Sequence, residues 1–104
     1  MKGMGDIMKK AQKMKADLDR IQEELAGREV EASAGGGMVN VKVTGGKELT
    51  SISIDPSVID PEDPEMLQDL VLAAVNEALR KSAEMMQEET SKIMGGLPIP
   101  DMFG

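Results

Sequence analysis

Along the first quarter of the chain, Ile7, Ala11, Met14, Leu18, Ile21 and Leu25 recur at spacings of 4, 3, 4, 3 and 4 residues. That rhythm places all six on one stripe of an α-helix. Asp6 is positioned to cap its start, and Gly27 to stop it. The stripe runs for about three heptads, long enough for a coiled-coil-like seam. It serves a helix packed on its own domain as well as one packed on a partner helix.

The period then changes from helical to two. Val30, Ala32 and Ala34 alternate with Glu29, Glu31 and Ser33; Val39, Val41 and Val43 alternate with Asn40, Lys42 and Thr44; Thr50, Ile52 and Ile54 alternate with Ser51, Ser53 and Asp55. Gly35-Gly36-Gly37 and Gly45-Gly46 separate the runs, which predicts an antiparallel meander with one wet face. Three strands cannot close on themselves, so their apolar face calls for helices and a second subunit.

A connection broken by prolines follows, and Asp63-Pro64 reads as a helix start, with the acid as N-cap and proline at the first helical position. Leu67, Leu70/Val71, Ala74/Val75 and Ala78/Leu79 then mark an amphipathic helix that continues, more polar, to Gly95-Gly96. A helix of that length spans roughly 46 Å, wider than a globule of this size, so its second half is expected to project. The fold class is α+β, in the order helix, three-stranded meander, long helix (α-β-β-β-α). Residues 1–96 form a single domain, and 97–104, with Pro98 and Pro100, form a mobile tail.

Composition sharpens this outline. The 104 residues include one aromatic, Phe103, so the core is built from aliphatic side chains and Met, each supplying less buried area than an aromatic ring. A small aliphatic core is expected to be completed by association. The longest apolar run, Leu70–Val75, falls far short of a membrane span, and no apolar segment follows the early lysines as in a signal peptide. No membrane partner is expected, and the cytoplasm is the expected location.

Catalytic chemistry finds little footing. Without Cys or His there are no thiolate nucleophiles, imidazole bases or zinc sites built on those ligands. Gly46-Lys47 fails as a phosphate-binding loop, because Val41 stands where its first glycine belongs and Glu48 where it needs Ser or Thr. The acids Asp55, Asp60, Glu62, Asp63, Glu65 and Asp69 lack the ligand spacing of a calcium loop, and capping and solubility explain them better. The reading is a non-enzyme with no cofactor, no metal and no small-molecule substrate.

Charge supplies the functional clue. The formal net charge is −7, yet six of the twelve Lys and Arg residues (Lys2, Lys9, Lys10, Lys13, Lys15 and Arg20) fall within the first twenty positions. Cations gathered on one helix of an acidic chain form a candidate surface for a polyanion. In the long helix Glu77 precedes Arg80 and Lys81, and Glu88 precedes Lys92, the favourable order for helical ion pairs. In the first helix Lys13–Asp17, Lys15–Asp19 and Arg20–Glu24 can pair in the poorer order, while Lys9 and Lys10 have only the capping Asp6. Lys9 and Lys10 then sit near a helix start, where a cation opposes the macrodipole by up to about 1 kcal/mol.

The blocks Gly37–Gly45 (GMVNVKVTG), Ile54–Ile59 (IDPSVI), Glu65–Val71 (EMLQDLV) and Ala74–Ala78 (AVNEA) resemble the YbaB/EbfC family of bacterial nucleoid-associated proteins, over nearly the whole chain. The resemblance implies a homodimer whose sheets associate and whose helices project as paired arms, and binding of double-stranded DNA, largely indifferent to sequence, in the bacterial cytoplasm and nucleoid. Carried onto this chain, the DNA-binding positions are Lys9, Lys10, Lys13, Lys15 and Arg20, with Lys92 at the end of the long helix as a further candidate. Lys in place of Arg suits point-charge contact with phosphates, and the lack of aromatic side chains argues against a stacking platform for single strands. The alternative is a protein-binding adaptor whose ten Met residues and projecting helices form adaptable surfaces.

Overall fold

The computed structural model describes residues 2–95, less the side chain of Lys2. Its elements are α1 (Lys2–Ala26), β1 (Glu29–Ala34), β2 (Val39–Thr44), β3 (Leu49–Ile54), a single 3-10 turn at Pro56–Val58, and α2 (Pro64–Met94). The reading of 97–104 as a mobile tail lies outside the described residues.

The strands form one antiparallel sheet in the order β1-β2-β3. Gly35, Gly36 and Gly37 all adopt positive φ (65°, 67° and 92°) in the first turn, a run open to glycine at little steric cost. The third strand departs from simple alternation. Its register jumps from Lys42↔Ser51 to Val43↔Leu49, leaving Thr50 as the extra residue of a bulge. Leu49 therefore takes the place across from Val43 that alternation assigned to Thr50. The Thr50 hydroxyl instead donates to Glu29 Oε2 at 2.6 Å.

Helix α2 lies across β1 and β2 and barely reaches β3. Ala74, Ala78 and Ser82, at intervals of four, are fully buried and let the helix approach the sheet closely over Val39, Val41 and Val43. The buried Ser82 hydroxyl donates to Thr44 O at 2.8 Å. Lys81 Nζ donates to Glu31 O at 2.9 Å, tying the helix to the backbone of β1. The start of α2 is as read: Asp63 Oδ1 accepts from Met66 N at 3.3 Å, with Pro64 in the first turn. Asp55 Oδ1 likewise accepts from Ser57 N at 2.9 Å, and that bond holds the Asp55 carboxyl below its ordinary pKa.

The start of α1 is not as read. The helix begins at Lys2 and runs through Gly3, Gly5 and Asp6, so Asp6 lies inside it and caps nothing. Two glycines weaken a helix by about 1 kcal/mol each without forbidding it. Lys9 and Lys10 accordingly sit in the body of α1, where the macrodipole argument does not apply.

Gly45 joins α1 to the sheet. Its N–H donates to Arg28 O at 3.0 Å, and a Cβ built on it would lie 2.2 Å from Leu25 O. Leu25, buried at that junction, is the last residue of the α1 stripe. Gly45→Ala is expected to force the two segments apart and to destabilise the protein by about 1–3 kcal/mol. Urea unfolding of the two proteins checks this, and equal midpoints would show that the junction yields without cost.

Past this junction the molecule becomes long and thin, 74 × 28 × 16 Å. Both helices leave the sheet together. Met14, Leu18 and Ile21 of α1 and Met85, Met86, Glu89 and Ile93 of α2 are half-buried with no strand beside them, so they bury one another. The expected projection of the second half of α2 is thus present, with α1 packed along it.

Candidate nucleic-acid interface

Every basic residue of α1 after Lys2 lies on this projecting arm. Lys9, Lys13 and Arg20 are separated by four and seven residues, which puts them on one helix face, roughly opposite the apolar stripe. Lys10 and Lys15 flank the stripe on either side. All five are exposed.

Their ion pairing separates them. Arg20 lies 3.8 Å from Asp17 and 3.4 Å from Glu24. Lys92 pairs with Glu89 at 3.0 Å, not with the Glu88 that spacing suggested. Neither Lys13–Asp17 nor Lys15–Asp19 forms, and Asp17 turns to Arg20 instead. Among the described residues, Lys9, Lys10, Lys13 and Lys15 make no ion pair. Four lysines whose charge is not neutralised locally thus lie within seven positions, about 9 Å of helix.

The cations of α2 are committed to neighbouring groups. Arg80 bridges Glu77 and Glu84 across successive turns of α2. Its hydrogen bond with Glu77 raises the guanidinium pKa further above its ordinary value and lowers that of Glu77. Lys81 was read as a partner of Glu77, but it is the tie to β1. Three acids of the connection, Asp55, Asp60 and Asp63, are occupied with capping and turn formation, Asp60 Oδ1 accepting from Glu62 N at 2.9 Å.

Two apolar surfaces stand open that sequence reading did not separate from core. The first is the face of β3 together with the neighbouring flank of α2. Ile52 and Leu49 are 45% and 44% exposed, Leu72 is 61% exposed, and an apolar hollow of about 500 Å³ is lined by Leu67, Gln68, Val71, Leu72 and Val75. The second is the outer end of the α1 stripe, where Met4 and Ile7 are 65% and 67% exposed, with Met8 to one side at 61%. Periodicity marks Ile52 and Ile7 as inward-facing; only the placement of α2 shows that it covers neither. No helix among the described residues is long and apolar enough to cross a membrane.

Comparison with known proteins agrees with this architecture. The family model described as YbaB/EbfC DNA-binding family matches residues 1–97. A nucleoid-associated protein of Alkaliphilus metalliredigens is 55% identical over 100 residues, covering 96% of this chain and 88% of the relative. A nucleoid-associated protein of Acetivibrio thermocellus is 58% identical over 101 residues, covering 96% and 89%. The crystal structure of an uncharacterized protein from Helicobacter pylori superposes with a TM-score of 0.63 at 28% identity, covering 75% of this chain and 90% of that one.

Proposed function

We propose, for a chain that belongs to the YbaB/EbfC DNA-binding family, that it binds duplex DNA without catalysis, as a homodimer and largely regardless of sequence. The observation that carries this reading is the group of four lysines, Lys9, Lys10, Lys13 and Lys15, without ion-pair partners among the described residues and on an arm that projects from the sheet. Lysines on an exposed helix meet phosphates as point charges and carry no code for bases. Arg20 and Lys92 contribute less, since each must leave a carboxylate to reach a phosphate. The relatives' designation as nucleoid-associated proteins supports a role in the bacterial nucleoid.

The open face of β3 and α2 supports the homodimer. Apolar side chains exposed together around a hollow mark a surface that a partner covers, and a second copy presents the same surface in return. Pairing there leaves the arms outside the interface and doubles the number of lysines facing DNA.

The test is a titration of unrelated duplexes across salt concentrations. Four to eight phosphate contacts give log K against log salt a slope of about −4 to −7, equal for all sequences. Binding that is indifferent to salt would overturn the reading, and so would strong preference for one duplex.

A further inference from the structure

Sulfur is unevenly placed in this molecule. Among the described residues, the core over the sheet is made of Val, Ala, Ile and Leu and contains no Met. Met38 and Met66 lie at the body, while Met4, Met8, Met14, Met85, Met86 and Met94 lie on the arm. Three of these six belong to the seam between the helices. Ser82 and Leu25 both sit at the Thr44–Gly45 end of β2, so the seam starts there. Met85 and Met86 follow within its first turn. Ile93 and Met14, each eleven residues further out, close its far end at about 16 Å.

That seam has little apolar surface to spare. Glu89 is a carboxylate paired with Lys92, which leaves Met14, Leu18, Ile21, Met85, Met86 and Ile93 as the apolar part. Half of these side chains are thioethers. Beyond Met14 the stripe is exposed at Ala11 and Ile7, so Met14 is the last side chain holding the lysine-bearing turns of α1 against α2. All three Met residues are half-buried, which makes them matter to packing and leaves them within reach of a small oxidant in water. The chain has no Cys, Trp, Tyr or His, so Met is the side chain that a mild two-electron oxidant attacks.

We propose that Met14, Met85 and Met86 form an oxidation site that governs whether the arm stays closed. The sulfur lone pair takes one oxygen of hydrogen peroxide, the O–O bond breaks, and the proton passes to the departing oxygen. Sulfur is oxidised by two electrons to the sulfoxide, and peroxide is reduced to water. Each sulfoxide sets a strongly polar group into the apolar seam. The helices then part, and α1 loses the tertiary packing that supplies most of a helix's stability. The body keeps its core, which has no Met to oxidise. Methionine sulfoxide reductases return the thioethers and close the arm again. Opening of the arm does not depend on DNA; its effect on affinity rests on the reading above, because Lys9, Lys10, Lys13 and Lys15 lose their common placement.

The experiment compares the wild type with Met14→Leu/Met85→Leu/Met86→Leu, each before and after hydrogen peroxide, with sulfoxides located by peptide mass spectrometry. Leu matches Met in volume and helix propensity, so the variant keeps the seam and the exposed Met residues but lacks the site. In the oxidised wild type, amide hydrogen exchange in α1 and in α2 beyond Ser82 is expected to rise at least about tenfold, with the sheet unchanged. Duplex DNA affinity is expected to fall about tenfold, the loss of one phosphate contact, and reductase treatment to restore both. The oxidised Leu variant is expected to match its untreated form. Equal acceleration in that variant would overturn the proposal, by assigning the effect to the exposed Met residues. An unaltered arm carrying all three sulfoxides would overturn it too, as would resistance of the three to oxidation while Met4 and Met8 react. Faster arm exchange with undiminished affinity would uphold the oxidation site and overturn the placement of DNA on the arm.

Discussion

Replacing Lys9, Lys10 and Lys13 together by alanine is expected to weaken duplex DNA binding by at least about a hundredfold at ~0.1 M salt, and to cut the salt slope by about three for each arm engaged. The size follows from counterion release, in which each phosphate contact contributes about 0.9 to the slope and therefore close to a tenfold affinity change at that salt. All three side chains are exposed and make no ion pair among the described residues, so nothing in the fold depends on their charge. Alanine is also at least as good a helix former as lysine. The thermal midpoint is thus expected to stay unchanged while affinity falls, as read by fluorescence anisotropy and circular dichroism on the same samples. Arg20→Ala is the instructive contrast. Its guanidinium already sits between Asp17 and Glu24, so its loss is expected to change affinity by no more than a fewfold. A triple variant that binds as the wild type does, with the same slope, would remove the arm from the DNA interface.

The second large effect is expected from Leu72→Asp combined with Ile52→Asp. Both side chains are substantially exposed in the protomer, so charges there are hydrated and the fold survives. In a dimer closed over β3 and α2, the same carboxylates are trapped in an apolar interface opposite their own symmetry copies. An uncompensated charge in such a place costs about 3–5 kcal/mol, enough to shift a dimer to monomers at micromolar concentration. Sedimentation equilibrium is expected to give a dimer mass for the wild type and a monomer mass for the variant. The variant also separates the two arms' contributions to DNA binding, since a monomer offers only one set of lysines. An unchanged dimer mass would place the interface elsewhere on the molecule.

The elements themselves were largely legible in the sequence because each rests on local chemistry. The period of four and three gives α1, alternating valines give β2, Asp63-Pro64 opens α2, and three successive glycines form a turn that tolerates positive φ. The exceptions also have local causes. Asp6 resembles a cap, but the preceding glycines do not stop the helix, and Thr50 breaks its strand's alternation because a bulge inserts it. The candidate site was legible in part. The basic residues were plain from the sequence, but their availability was not. Helical spacing offers Asp17 to both Lys13 and Arg20, and only side-chain placement shows that Arg20 takes it. Glu77 was offered to Arg80 and Lys81 in the same way, and Lys81 is drawn to a carbonyl fifty residues away in sequence.

By itself the sequence determined the order of elements, the aliphatic character of the core and the concentration of cations in α1, because periodicity, capping and composition act within a few residues of chain. Tertiary structure alone decided which apolar residues stay uncovered and which lysines stay unpaired. Ile7 and Leu25 occupy equivalent places on one stripe, yet one is 67% exposed and the other 4%. The difference lies in where α2 stops and which strands it crosses, distances set by packing between segments remote in sequence.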